Sequence, residues 1–279
     1  MTKLDASLPV AMFDSGVGGL TVLHECLVSL PQEDFVYLGD TEWFPYGTRD
    51  RELLRGRVAA IADLLLDRGA KLLVIACNTA TSIGADVARE VAGRRGVEVV
   101  PVVEPQAEIA AAITDSGKVG VLATPNTVES GAYRRALEAQ GRALEVTEVE
   151  APRLAPFIQE GSPFDEGVMT MARAYCEPLK RAEVDTLILG CTHYPLVAPM
   201  LQRILGRDVR LVSGGHAVAA AVQRTLDRSD LARPPVGEGT YDFLCTGDPA
   251  SFRELGTRFL QMPLGEVARV EIPAGDWRF

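Results

Sequence analysis

Short apolar runs ending in small or polar residues alternate along this chain with longer stretches of helical spacing. That alternation constrains the fold more than any other feature. Strands that are apolar on both faces belong to parallel sheets, because the helical crossovers between parallel strands cover both sides. The expected strands of a first half are Val10–Phe13, Phe35–Leu38, Leu72–Ala76 and Val97–Val103. Those of a second half are Val119–Ala123, Leu144–Thr147, Thr186–Leu189 and Val209–Val212, and Tyr241–Cys245 is expected to rejoin the first sheet. Leu20, Leu23, Leu27 and Leu30 fall at helical spacing, as do Ile61, Leu64 and Leu65, with Arg68 toward solvent. Pro152 and Pro156, and the Ser213-Gly-Gly215 segment, are read as places where the chain leaves regular structure.

A weak internal repeat sharpens the picture. Leu73–Thr79 and Leu187–His193 share a pattern of apolar strand, small residue, cysteine and polar group, which places Cys77 and Cys191 114 residues apart. The strand and turn around Asp14 match those around Thr124 at a similar offset of 110. Two related α/β halves follow, with the cysteines at equivalent strand ends. The fold class expected is α/β, built as two pseudo-symmetric three-layer domains with mainly parallel sheets and a site in the cleft between them. Residues 1–100 with 214–279 would form a discontinuous first domain, and 101–213 the second.

Ligands of open parallel sheets sit beyond the carboxyl ends of the strands, so the residues just after the apolar runs carry the chemistry. Of five cysteines, Cys26 and Cys176 lie in helical patterns and Cys245 alternates with Phe243 and Tyr241 on a strand, all packing positions. Cys77 and Cys191 are instead followed at once by Asn78-Thr79 and Thr192-His193. A thiol acts as a base or nucleophile through its thiolate, which needs a nearby base, cation or helix N-terminus. His193 and Asp14 are the candidate partners, and Asp14 could also cap a helix.

The Asp14–Leu20 segment sets glycines between a strand and a helix, a geometry that can present N–H groups to a small anion such as a carboxylate. It is only a partial dinucleotide loop. Thr21 occupies the third glycine position, although Asp40 ends the next strand where a ribose-binding acid could sit, and no Gly-Lys-Ser/Thr follows. The few lysines (Lys3, Lys71, Lys118, Lys180) all lie away from strand carboxyl ends, so a pyridoxal phosphate Schiff base has no candidate and no cofactor is expected.

A net charge of −10 without a basic cluster argues against a nucleic-acid partner. No apolar run approaches the roughly 18 residues of a membrane span, and residues 1–8 lack the order of a signal peptide, so a cytoplasmic location is expected. The odd, widely spaced cysteines fit reduced thiols.

Taken together, Phe13–Leu20, Phe44-Pro-Tyr-Gly47, Ala76–Thr79, Ala123–Thr127 and Gly190–Leu196 resemble the motifs of bacterial glutamate racemases, in order and across nearly the whole chain. The resemblance implies two α/β domains around the active site, no metal, no cofactor, and D-glutamate supply for peptidoglycan. It implies that Cys77 deprotonates D-glutamate and Cys191 L-glutamate, assisted by Asp14 and His193. Substrate would be bound by Asp14, Ser15, Tyr46, Gly47, Asn78, Thr79, Thr192 and His193, with Thr124 and Thr127 as additions. A homodimer is expected from the resemblance alone.

The chain departs from the family pattern at Gln159, where members commonly carry Glu, and at His216, where an acid is more usual. The short leader before the first strand predicts no control by a cell-wall precursor. Aspartate or another acidic amino acid remains an alternative substrate. A Cys–His hydrolase, a zinc site built from Cys77, Cys191, His193 and Asp14, and a non-catalytic binding module are alternative classes.

Overall fold

The computed structural model describes residues 4–161 and 166–273. Its strands are β1 (Val10–Asp14), β2 (Phe35–Gly39), β3 (Leu72–Ile75), β4 (Glu98–Pro101), β5 (Lys118–Ala123), β6 (Glu145–Glu150), β7 (Thr186–Gly190), β8 (Arg210–Val212), β9 (Tyr241–Cys245) and β10 (Val267–Arg269). The α-helices are α1 (Leu20–Ser29), α2 (Arg51–Asp67), α3 (Asn78–Gly93), α4 (Val103–Ile113), α5 (Pro125–Ser130), α6 (Ala132–Glu138), α7 (Leu154–Glu160), α8 (Glu166–Arg181), α9 (Ala198–Leu205), α10 (Gly214–Arg228) and α11 (Pro249–Leu260).

Two sheets result, with strand orders β10-β9-β2-β1-β3-β4 and β6-β5-β7-β8. Every strand pair among the described residues is parallel. The core of the first sheet, β2-β1-β3-β4, and the whole of the second share one topology, so β1 corresponds to β5 and β3 to β7. The internal repeat is thus a repeat of folding pattern, and Cys77 and Cys191 follow equivalent central strands.

Residues of β1 and β3 alternate between two cores. Val10, Met12, Leu72 and Val74 pack with Leu20, Leu23 and Val222, whereas Ala11, Phe13, Leu73 and Ile75 pack with Val58, Ile61 and Ala88. Both faces of the sheet are therefore covered by helices, which is why these strands read as unbroken apolar runs. The first core continues into Val119, Val121, Leu187 and Ile188 of the second sheet.

Several expectations are corrected. The apolar run 97–103 is not all strand. Val102 already has helical backbone angles and Val103 begins α4, with Pro105 in the first turn, where its missing N–H is not needed. Pro156 likewise lies in the first turn of α7 rather than in a break. Ser213-Gly-Gly215 does end β8, but it leads directly into α10. β6 runs on to Glu150, its charges tolerated on a half-buried edge. β10 is a three-residue, largely exposed edge strand with no apolar signature.

At the amino ends of the strands, opposite the site described below, Lys71 and Glu33 form a fully buried ion pair at 2.5 Å. Lys71 Nζ also donates to the Ala6 carbonyl at 2.6 Å, and the other Glu33 oxygen accepts the Arg233 N–H at 2.7 Å. Lys118 begins β5 and Lys180 lies in α8, both away from strand carboxyl ends, while Lys3 lies outside the described residues. Breaking one side of a buried pair leaves an uncompensated charge. Glu33→Gln is expected to cost about 3–5 kcal/mol, by the usual size of that effect, read as a lower urea midpoint with unchanged slope.

Candidate active site

The carboxyl ends of the two sheets meet at a narrow cavity of about 20 Å³, room for about one water. It is lined by Ser15, Tyr46, Gly47, Cys77, Asn78 and Thr79 from the first sheet's side, by Thr124, Cys191, Thr192 and His193 from the second's, and by Phe44, Pro45 and Ala155. Admission of anything much larger than a water requires these walls to part. Asp14 and Thr127 are fully buried just behind the lining.

The close approach of the two sides depends on glycine. A Cβ on Gly18 would lie 2.4 Å from Thr192 Oγ1 and 2.5 Å from His193 Nδ1, and one on Gly47 would lie 2.7 Å from Thr124 Cβ. All three distances are well inside van der Waals contact.

Cys77 is the N-cap of α3, a helix of 16 residues, and its sulfur accepts the Ala80 N–H at 3.4 Å. Positive potential at that helix start favours thiolate, as do the nearby backbone N–H and hydroxyl of Ser15. Burial and the neighbouring Asp14 charge prevail, pushing the thiol up to about 12. Cys191 is followed by the short 3-10 turn Tyr194–Val197 rather than by a long helix. Burial raises its pKa too, opposed by the His193 N–H.

Asp14 does not cap α1, whose N-cap is Gly19. Its Oδ1 accepts the Gly16 N–H at 2.9 Å and its Oδ2 accepts the Thr192 hydroxyl at 3.2 Å, across the cleft. The nearby Gly19 N–H also favours its charged form. The glycine loop therefore directs amides to its own carboxylate, which corrects the reading of it as a cradle for an external anion. Burial outweighs these donors and raises Asp14 to about 6.

His193 lies between Phe44, stacked at 5.2 Å, and Phe259 of α11, edge-on at 5.0 Å. Its Nε2 meets Gln159 Oε1 at 2.9 Å, and its Nδ1 lies 3.9 Å from Cys191 Sγ. An amide oxygen accepts, so Nε2 carries the hydrogen and the Nδ1 lone pair faces the thiol. Burial holds the imidazole down at about 3, that is, neutral.

The remaining candidates divide by what their polar atoms already bind. Thr79, Thr124 and Thr127 form a hydroxyl triangle with edges of 2.9, 3.3 and 3.0 Å that joins the two sides. Tyr46 lines the cavity, but its hydroxyl donates to Asp40 at 2.5 Å. Asp40 is also held by Arg57 and Thr246, so it is an internal anchor and not a ribose ligand. His216 lies on the exposed face of α10, paired with Glu25. Cys26, Cys176 and Cys245 are buried packing residues. Ala155, Phe259 and Gln106 escaped notice in the sequence because nothing local distinguishes them. Among the described residues no group of three or more His, Cys, Asp and Glu side chains could hold a metal, and no helix is long and apolar enough to cross a membrane.

Parallel α/β halves facing each other with a thiol at each of two matched strand ends define a class, and the chain belongs to the family described as Asp/Glu/Hydantoin racemase, whose profile matches residues 21–222. Within it, the chain is 46% identical over 263 residues to glutamate racemase of Mycobacterium tuberculosis, covering 94% of this chain and 96% of that one. Among solved structures, a glutamate racemase isoform from Bacillus anthracis aligns with a TM-score of 0.91 at 32% identity, over 96% of this chain and 99% of the other. A glutamate racemase from Francisella tularensis in complex with D-glutamate aligns with a TM-score of 0.89 at 31% identity, over 96% and 98%.

The buried neutral imidazole makes a prediction about acid stability. Unfolded, His193 titrates near 6.5; folded, near 3. The depressed native pKa contributes stability that is complete above pH 6.5 and is lost as the pH falls toward 3. At about 1.4 kcal/mol per unit, this amounts to up to about 3 kcal/mol between pH 7 and 4.5. Asp14 acts in the opposite sense between about pH 6 and 3.8, since the native state takes its proton first. His193→Phe retains Asp14 and fits between the two phenyl rings. It is expected to show a smaller loss of urea stability from pH 7 to 4.5 than the parent.

Proposed function

We propose that this protein interconverts L- and D-glutamate by moving the α-proton between two cysteines, Cys77 and Cys191. The observation that carries the reading is their position: they lie at equivalent strand ends of two sheets with matching topology, and both line the same cavity. A single-nucleophile hydrolase would leave one of them without a chemical role.

In this reading the thiolate of one cysteine takes the proton from Cα while the thiol of the other delivers a proton to the opposite face. Cys77 acts on D-glutamate and Cys191 on L-glutamate, and each turnover exchanges thiolate and thiol. Asp14 accepts the Cys77 proton, and the Nδ1 lone pair of His193 accepts that of Cys191. A thiolate is too weak a base for an α-carbon in water, so preorganised donors must stabilise the developing carboxylate charge. The amide groups at the start of α3 supply them, with Ser15, Tyr46, Gly47, Asn78, Thr79 and Thr192 contacting substrate. The substrate's ammonium lowers the cost of thiolate formation, and closure of the walls excludes water.

The proposed partition is 1–100 with 214–279 as one domain and 101–213 as the other, in a cytoplasmic homodimer that supplies D-glutamate for peptidoglycan. No cofactor enters the proposed steps.

The decisive experiment runs D- and L-glutamate, beside D- and L-aspartate, in D₂O with circular dichroism and NMR. Glutamate is expected to racemise with deuterium gain at Cα, and Cys77→Ala and Cys191→Ala each to abolish racemisation while keeping the fold. Wild-type turnover in either variant would contradict the two-base mechanism, a covalent thioester would indicate acyl chemistry, and preference for aspartate would reassign the substrate.

The pH profile follows from Asp14. With a free-enzyme pKa of about 6, it must be ionised to receive the Cys77 proton. kcat/KM should fall tenfold per pH unit below about 6. Because enantiomers are equal in free energy, it must fall identically in both directions. Asp14→Asn should lower kcat/KM by roughly 100-fold, the scale of general-base catalysis, and lose that acid limb.

A further inference from the structure

Gln106, on α4, is fully buried and uses its whole hydrogen-bonding capacity at the junction of the two halves. Its Nε2 donates to the carbonyls of Leu189, at 3.2 Å, and Val212, at 3.3 Å, near the ends of β7 and β8. Its Oε1 accepts from Asn78 Nδ2 at 2.9 Å and from the Tyr133 hydroxyl at 2.5 Å. Asn78 Nδ2 also donates to the Tyr133 oxygen at 2.7 Å.

These bonds orient one another in sequence. The Leu189 and Val212 carbonyls can only accept, so the Gln106 NH₂ must face them, and Oε1 must face Asn78. Asn78 must then turn its own NH₂ toward Gln106 and Tyr133, where both hydrogens are engaged. Of the Asn78 amide, only the carbonyl oxygen remains for the cavity that this residue lines. An acceptor there suits a cationic donor, and the α-ammonium is the cationic group of an amino acid.

We propose that Gln106 is a positioning residue for the racemisation: it holds the Asn78 amide so that its oxygen, and not its NH₂, is offered to the substrate's α-ammonium. The proposal rests on the racemase reading above. Without Gln106 the Tyr133 hydroxyl is the partner left to the Asn78 amide, and because a hydroxyl both donates and accepts it fits either orientation; a flipped NH₂ would repel the ammonium. The effect falls on substrate binding, because the ammonium keeps its charge from ground state to transition state.

The test is a double-mutant cycle on KM and kcat for both enantiomers. Gln106→Leu is expected to raise KM about tenfold, equivalent to about 1.4 kcal/mol, equally in both directions, with kcat changed less than about threefold. In an Asn78→Ala background the same substitution should change KM by less than about twofold, because the group through which it acts is gone. If Gln106→Leu does not fold, Gln106→Met, closer to glutamine in length and likewise without an amide, takes its place in the cycle. An unchanged KM, or equal effects in the two backgrounds, overturns the proposal while leaving the racemase reading intact. A wild-type protein that does not racemise glutamate overturns that reading and this one with it.

Discussion

The buried carboxylate of Asp14 is the point on which the arrangement of the site turns. It ends the central strand of one sheet, draws in the Gly16 amide of its own loop, and accepts the Thr192 hydroxyl from the other side of the cleft. Thr192 stands between Cys191 and His193, so the group proposed to assist one cysteine is bonded to a residue flanking the other. The approach this requires is possible because Gly18 has no side chain where Thr192 and His193 sit. A carboxylate in such a place is costly. The donors around it do not cancel the penalty, and its affinity for a proton rises into the range where it can exchange one near neutral pH.

Burial acts on the thiols in the same direction, and both resist ionisation in the closed cavity. The two sides relieve that cost by different means. Cys77 has a long helix N-terminus, Ser15 and an acid raised to about 6, whereas Cys191 has a short turn and an imidazole held neutral against Gln159. The repeat in the fold therefore positions two thiols symmetrically without giving them the same chemistry. A glutamine at position 159 supplies the hydrogen-bond acceptor that fixes the His193 tautomer. It does not supply the negative charge that would stabilise an imidazolium.

Much of this was legible in the chain because the relevant signals are local. Apolar runs announced nine of the ten strands among the described residues, and an abrupt change from apolar to polar residues singled out Cys77 and Cys191. What escaped depends on partners remote in sequence. Asp14 to Gly19 looked like an anion cradle, and only the folded chain shows that the anion is Asp14 itself. Asp40 looked free until Arg57, Tyr46 and Thr246 converged on it. Gln106 sits in an ordinary helical stretch, and its importance arises from the Leu189 and Val212 carbonyls 83 and 106 residues further on. β10, three residues long and mostly exposed, is too short to leave a pattern.

The unequal assistance cannot make the proposed enzyme favour one enantiomer. In achiral water the two forms of glutamate have the same free energy, so any change that lowers the barrier governing kcat/KM from one side lowers it from the other by the same amount. Asp14 and the His193–Gln159 pair can differ only in how they divide the barrier between the two proton transfers and in how strongly each enantiomer is held before reaction. A neutral His193 therefore concentrates the difficulty in steps that ionise or reprotonate Cys191, in either direction of turnover. The asymmetry of the site belongs to the profile of the reaction path and to the separate kcat and KM values, while the equilibrium and the ratio of efficiencies remain fixed by the symmetry of the substrate pair.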